Sequence, residues 1–132
     1  VGGVPVVVDG GHNAAGLAAA LAAVRGAYGR RTLAVVFGVL RDKDAGSMLT
    51  ALRGEAQTIV LTRPEGERAA EPALIAREHG NLDLTERKAL VVEDPVEATR
   101  AAIEEAGEAG GVVLVTGSLS TAAPVLRWLR EA

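Results

Sequence analysis

The chain alternates between short, continuous apolar runs and longer segments in which apolar residues recur at helical spacing. The apolar runs cover residues 4–8, 32–37, 58–61, 90–92 and 112–115. Their lack of polar alternation is typical of strands that are covered on both faces. In the first longer segment, Leu17, Leu21, Val24 and Tyr28 share one face of a helix. The pattern predicts five strands alternating with five helices.

Polar and proline residues mark where the predicted helices begin. Asn13 is the expected N-cap of the first helix, the second helix follows Asp44, and the third helix follows Pro72. Asp94 and Pro95 combine a capping side chain with a proline at the first helical position, which predicts the start of the fourth helix. The fifth helix follows the last strand.

The order of these elements predicts the fold class. Strands that are joined by helices run mostly parallel, and right-handed crossovers place helices on both faces of the sheet. We therefore predict a single domain over residues 1–132, with a three-layer, doubly wound, mostly parallel α/β sheet of Rossmann-like type. The polar segment 62–71 is the loop expected to be most mobile, and segment 81–88 is a second candidate.

Composition excludes several classes of function. The formal net charge of -3 offers no basic surface for a phosphate backbone, so nucleic acid is not an expected partner. The absence of cysteine excludes thiolate chemistry and is compatible with the cytoplasm. The apolar runs are shorter than the roughly 20 residues of a membrane helix, so we expect no membrane association. Since the chain opens with Val1 directly before an apolar run, we also expect sequence upstream.

The loop after the first strand carries the first candidate chemistry, because ligands of open parallel sheets bind at the carboxyl ends of strands. Its glycines match neither the dinucleotide fingerprint nor the P-loop, since Leu17 stands where a P-loop has lysine. Asp9 either accepts hydrogen bonds from ribose hydroxyls or stabilises a turn. His12 either donates a hydrogen bond to a carboxylate or phosphate, or meets a backbone carbonyl.

The loop after the second strand is rich in charge. Residues 41–44, with the sequence RDKD, form either a solvated charge cluster or part of a binding site. In the second interpretation, Lys43 is a cation for an anionic substrate and is held by Asp42, while Asp44 caps the next helix.

The loop after the fifth strand leads into a helix N-terminus. Free backbone N–H groups there, together with the hydroxyl of Ser118, can bind an anion. The alternative is that Ser118 or Ser120 only caps the helix. His79, beside a glycine, is expected to end the third helix without a further role.

Three motifs at the ends of predicted strands resemble a known family when they are taken together. They are VVVDGGHN at residues 6–13, VFGVLRDKD at 36–44 and VVLVTGSLS at 112–120. In sequence and order they resemble the C-terminal domain of folylpolyglutamate synthase and dihydrofolate synthase, within the Mur ligase superfamily. The resemblance covers the whole chain. It implies an enzyme that activates a folate or dihydropteroate carboxylate with ATP as an acyl phosphate, which the α-amine of L-glutamate then attacks.

The resemblance implies a nucleotide-binding role for the first motif. Asp9 resembles the family's contact to the ATP ribose, with Gly10 and Asn13 as neighbouring cofactor-binding residues. The P-loop, the magnesium ion and most folate contacts are expected in an N-terminal ATPase domain of the same protein, which this chain does not include. The isolated domain is therefore expected to be inactive, and the enzyme to be a monomer.

The other candidate residues are implied to act on the amino acid. His12 resembles the family's cleft histidine near the incoming glutamate, and Lys43 and Ser118 resemble positions that hold its carboxylates.

The motifs depart from the family pattern at three positions. Gly11 replaces an alanine, Ala14 a proline and Ser120 a tyrosine, which leaves the substrate preference open. Two other functions are also compatible with the sequence. One is a free-standing module that binds a nucleotide or small anion without catalysis, and the other is the equivalent domain of a cell-wall Mur ligase.

Overall fold

The computed structural model describes residues 1–79 and 88–131, and these contain the predicted alternation of strands and helices. The strands are β1 Val6–Val8, β2 Leu33–Phe37, β3 Thr58–Leu61, β4 Lys88–Val91 and β5 Val112–Thr116. The helices are α1 Ala14–Tyr28, α2 Ala45–Arg53, α3 Pro72–Glu78, α4 Pro95–Glu108 and α5 Leu119–Glu131.

The strands form one parallel sheet in the order β1-β5-β2-β3-β4. Because β5 inserts between β1 and β2, it pairs with both of them, as in the register Val8 to Val115 and Val36 to Val115. The chain adds β2, β3 and β4 in one direction and then returns to place β5 beside β1. The loops that follow β1, β5 and β2 are therefore neighbours at the carboxyl end of the sheet. This topology confirms the predicted doubly wound, parallel fold.

Side chains of successive strand residues point to opposite faces and fill two cores. On β5, Val112 and Leu114 join the core beneath α1, α2 and α3, whereas Val113 and Val115 join the core beneath α4 and α5. All five residues of β2 and of β5 are buried. The sheet is therefore covered on both faces, which confirms the predicted three layers and explains the continuous apolar runs.

Three of the predicted helix starts carry the expected caps. Asn13, Asp44 and Asp94 each accept a hydrogen bond from the backbone N–H three residues later, at 2.7, 3.1 and 3.0 Å. α3 begins at Pro72 without a side-chain cap. The capping predictions are confirmed, because each polar side chain satisfies an N–H group that the helix leaves free.

Strand boundaries differ slightly from the predicted ones. β1 begins at Val6 because Val4 is already engaged in a turn, in which its N–H donates to the carbonyl of Val1 at 3.0 Å. β4 spans Lys88–Val91 where the sequence predicts 90–92. Most of the second predicted loop, segment 81–88, lies outside the described residues.

Candidate functional site

Three loops meet where β1, β5 and β2 end. The N–H of Gly117 donates to the carbonyl of Gly11 at 3.1 Å, which joins the loops after β5 and β1. The N–H of Gly38 donates to the carbonyl of Thr116 at 3.2 Å, which joins the start of the loop after β2 to β5. The motif-bearing loops are therefore in direct contact, as their position on neighbouring strands requires.

His12, Lys43 and Ser118 line one open depression of about 300 Å³, which we call the cleft. The remaining lining residues are Leu40, Arg68, Leu119 and Ser120. An adjoining depression of about 360 Å³ shares His12 and Lys43 and also contains Asn13 and Ala14. Asp9 and Gly10 line neither depression. The structure thus brings together the three residues expected to act on the amino acid and places the expected ribose contact beside them.

Asp9 forms a tight turn at the end of β1. Its Oδ2 atom accepts a hydrogen bond from the N–H of Gly11 at 2.8 Å. No donor among residues 1–79 and 88–131 contacts its other carboxylate oxygen. A Cβ atom at Gly11 would lie 2.6 Å from Oδ2, so glycine keeps this turn closed. A Cβ atom at Gly10 would meet the exposed side chain of Leu119 at the start of α5, and that side chain would have to move. One carboxylate oxygen of Asp9 remains available for a ligand.

Asp42 does not hold Lys43 in an ion pair, contrary to the predicted arrangement. Its carboxylate instead accepts a hydrogen bond from Nη2 of Arg68 at 2.7 Å. Desolvation raises the pKa of Asp42, but hydrogen bonds from its own backbone and from Arg68, with the charges of Arg68 and Lys43, lower it overall. Lys43 is half-buried, and its ammonium group pairs with no carboxylate in the part of the chain that the structure describes. Asp42 therefore pairs with a residue of segment 62–71 and leaves the ammonium group of Lys43 without a carboxylate partner in the described residues.

Asp44 stabilises the start of α2 with both carboxylate oxygens. Oδ1 accepts from the N–H of Ser47 at 3.1 Å, and Oδ2 accepts from its hydroxyl at 2.5 Å. These bonds, with a smaller contribution from the charge of His79, lower the pKa of Asp44. His79 itself ends α3, as predicted, with its N–H donating to the carbonyl of Ile75 at 3.0 Å.

The hydroxyl of Ser118 is buried and engaged with protein atoms. It donates to the carbonyl of Gly38 at 3.2 Å and accepts from the N–H of Thr121 at 3.1 Å. It also lies 2.9 Å from the hydroxyl of Thr121, which bonds the same carbonyl. This is the capping arrangement that the sequence left open. The hydroxyl joins the start of α5 to the end of β2, so the contribution of Ser118 to the cleft is to position these loops.

Replacing Ser118 with alanine is expected to lower the free energy of unfolding by about 1 to 2 kcal/mol, because a buried cap and its hydrogen bonds are lost. Ser120 is the matched control, since it also lines the cleft but makes no side-chain hydrogen bond within the described residues. Ser120→Ala should change stability by less than about 0.5 kcal/mol. Urea denaturation of the two variants measures the difference. Equal losses would contradict the capping role.

Arg68 is a cleft residue that the sequence analysis missed. It lies in segment 62–71, which was predicted to be mobile. The structure anchors this segment beside the cleft: Arg41 donates its N–H to the carbonyl of Arg68 at 2.8 Å, and Ala70 donates to Val39 at 2.9 Å. A β-bridge joins Leu40 to Ala69. The only signal in the sequence was an arginine in a loop that follows a strand, which is too common to single out.

Within the described residues, no group of three or more His, Cys, Asp or Glu side chains is placed to hold a metal ion. None of the helices seen in residues 1–79 and 88–131 is long and apolar enough to cross a membrane.

The chain is similar to solved structures of folylpolyglutamate synthases. One is a Mycobacterium tuberculosis folylpolyglutamate synthase complexed with ADP, with 27% identity and a TM-score of 0.81 over 96% of this chain. Another is the bifunctional folylpolyglutamate synthase/dihydrofolate synthase of Yersinia pestis, with 31% identity and a TM-score of 0.76 over 96% of the chain. E. coli FolC in complex with DHPP and ADP matches in fold, with 24% identity and a TM-score of 0.79 over 96% of the chain.

The chain spans only 30, 29 and 28% of the lengths of these three structures, respectively. No curated protein sequence matches it significantly. The profile of the family described as Mur ligase, glutamate ligase domain, matches residues 1–119. With the five-stranded parallel sheet and the motif-bearing loops at its switch point, this match shows that the chain belongs to the Mur ligase glutamate ligase domain family.

Proposed function

We propose that the chain is the C-terminal domain of an ATP-dependent ligase that adds L-glutamate to a folate, either dihydropteroate or a folylpolyglutamate. The observation that carries the proposal is the cleft, in which His12, Lys43 and the start of α5 converge. The likeness to folylpolyglutamate synthases, in structures with ADP, AMPPNP or DHPP, supports the substrate class.

The proposed reaction has two transfers. A carboxylate oxygen of the folate attacks the γ-phosphorus of ATP, and ADP leaves. The α-amine of L-glutamate, after losing a proton, then attacks the acyl carbon, and inorganic phosphate leaves as the C–N bond forms. Each step joins anions, so the protein must supply cations and hydrogen-bond donors around them.

The turn after β1 is the nucleotide end of the proposed site. The free carboxylate oxygen of Asp9 accepts from the ribose hydroxyls, and Gly10 lets the loop approach the nucleotide. Asn13 holds the start of α1 through its 2.7 Å bond to the N–H of Gly16. The γ-phosphate and magnesium belong to an N-terminal ATPase domain of the same protein, because this sequence contains no P-loop.

The amino-acid end of the site is the cleft. Lys43 pairs with a carboxylate of L-glutamate, and exposed His12 donates a further hydrogen bond. The backbone N–H groups of Ser118, Leu119 and Ser120 have no acceptor within residues 1–79 and 88–131, so they can bind the same anion. The hydroxyl of Ser118 does not contact the amino acid but holds these N–H groups in position. Through this arrangement the cleft holds the amino acid beside the acyl phosphate.

Replacing Asp9 with alanine in the full-length protein is expected to raise the KM for ATP roughly tenfold, because a charge-assisted bond to ribose is lost. Asp9→Asn keeps the acceptor of the turn and should raise it less. Glu104→Ala, at an exposed carboxylate on α4, is the control. Steady-state kinetics with varied ATP measure the effect, and an unchanged KM in Asp9→Ala would remove Asp9 from the nucleotide site.

A calorimetric titration of this chain with ADP and, separately, with L-glutamate tests whether it is part of a larger site. A domain that supplies half of a cleft should bind each ligand more weakly than about 1 mM, since most contacts are made elsewhere. Micromolar binding of either ligand would contradict the proposal. It would indicate a free-standing binding module instead.

A further inference from the structure

Arg68 lies in the cleft but has no role in the proposed reaction. It lines the same depression as His12 and Lys43. Its side chain is 63% exposed and bonds Asp42 through Nη2 alone. In the described part of the chain its Nε and Nη1 groups meet no acceptor. Arg68 therefore presents unused donors to the cleft while one edge of its guanidinium is already fixed.

In the sheet order, the strand before Arg68 is three positions from the strand before Asp9. Asp9 follows β1, Lys43 follows β2 and Arg68 follows β3, and the strands run in the order β1-β5-β2-β3. The reacting amine must face the acyl phosphate on the nucleotide side. Arg68 lines the same depression on the β3 side, within reach of the side chain of an amino acid held there.

We propose that Arg68 binds the side-chain carboxylate of the incoming amino acid and so selects a dicarboxylic amino acid. This inference rests on the proposed function. Lys43 and the start of α5 hold one carboxylate, and the guanidinium of Arg68 holds the second with its free donors. Asp42 is a positioning residue that keeps its bond to Nη2 and orients the guanidinium group of Arg68. An amino acid with a neutral side chain leaves Arg68 without an anionic partner.

A purely structural role for Arg68 is the competing explanation, because its ion pair also fastens segment 62–71. The chain offers a matched control in Arg127. Arg127 bonds Glu65 of the same segment at 2.7 Å, the same length as the bond of Arg68 to Asp42, and its side chain is similarly exposed, at 56%. Arg127 does not line the cleft. A loss caused by loosening the segment would therefore occur in both variants.

The test compares Arg68→Gln and Arg127→Gln in the full-length protein with L-glutamate and with L-glutamine as acceptors. In Arg68→Gln we expect kcat/KM for L-glutamate to fall roughly 30-fold while the value for L-glutamine stays within about threefold. Arg127→Gln should keep the wild-type ratio of the two values. An unchanged ratio in Arg68→Gln, or an equal change in Arg127→Gln, would overturn the inference.

The two proposals fail in different ways. If the wild-type protein joins no L-glutamate to a folate, the proposed function itself fails. If the wild-type protein does so and Arg68→Gln discriminates equally well, only the role of Arg68 fails. Arg68→Lys adds a further comparison, because it keeps the charge but loses the planar fork, and it should recover only part of the discrimination.

Discussion

Replacing Gly117 with alanine is expected to destabilise the chain by about 3 to 5 kcal/mol, enough to remove much of the stability of an ordinary domain. Gly117 has a φ of 110°, which L side chains rarely adopt. An added Cβ atom would also collide with the carbonyl of Gly38. That carbonyl cannot retreat freely, because the hydroxyls of Ser118 and Thr121 both bond it. The substitution therefore strains the junction of β5, β2 and α5.

Gly26→Ala and Gly110→Ala separate the effect of the positive φ from the effect of the collision with the carbonyl of Gly38. Gly26 lies within α1 with open space around it, so alanine should stabilise the chain by about 0.5 to 1 kcal/mol. Gly110 has a φ of 66° but also open space, so its variant should lose only about 1 to 2 kcal/mol. Denaturation curves rank the three variants. A loss at Gly117 no larger than that at Gly110 would show that the close approach to Gly38 is unimportant.

Replacing Lys43 with alanine in the full-length protein is expected to raise the KM for L-glutamate roughly 100-fold, since a charge-assisted contact in the cleft is lost. The KM for ATP should change less than about threefold, because the proposed nucleotide contacts lie at Asp9 and outside this chain. Lys43 makes no ion pair within the described residues, so its removal should leave the fold intact. Initial rates at varied L-glutamate measure the effect.

Arg130→Ala is the control for Lys43→Ala. Arg130 is an exposed cation near the end of α5, whereas the cleft lies at the start of that helix. If both variants raised the KM for L-glutamate equally, the general field of the protein would explain the effect. If neither did, Lys43 would not contact the amino acid.

The architecture was predictable because each element carries its own local signal. The continuous apolar runs at β2 and β5 reflect burial on both faces, and they need no partner to be recognised. Asp94 and Pro95 mark the start of α4 through capping chemistry that depends only on neighbouring residues. The start of β1 was misplaced because Val4 is apolar and buried yet bonded in a turn. Apolar character predicts burial there, but not the hydrogen-bond partner.

The site was predictable only where motif residues lie at the ends of strands. His12 and Lys43 meet in the cleft because β1 and β2 both flank β5. The partner of Asp42 was not predictable, since Arg68 lies 26 positions away and is brought close by the pairing of residues 68–70 with residues 39–41. The local pairing with Lys43 was therefore the natural but wrong expectation.

The most direct test of the proposed folate ligase activity is an assay of the full-length protein with ATP, magnesium, L-glutamate and either dihydropteroate or a folylpolyglutamate. Product mass and ADP release are followed together. We expect the folate to gain one glutamyl residue for each ADP and phosphate released. If no folate product forms, or an amide forms only on a cell-wall muramoyl precursor, the chain does not belong to a folate ligase.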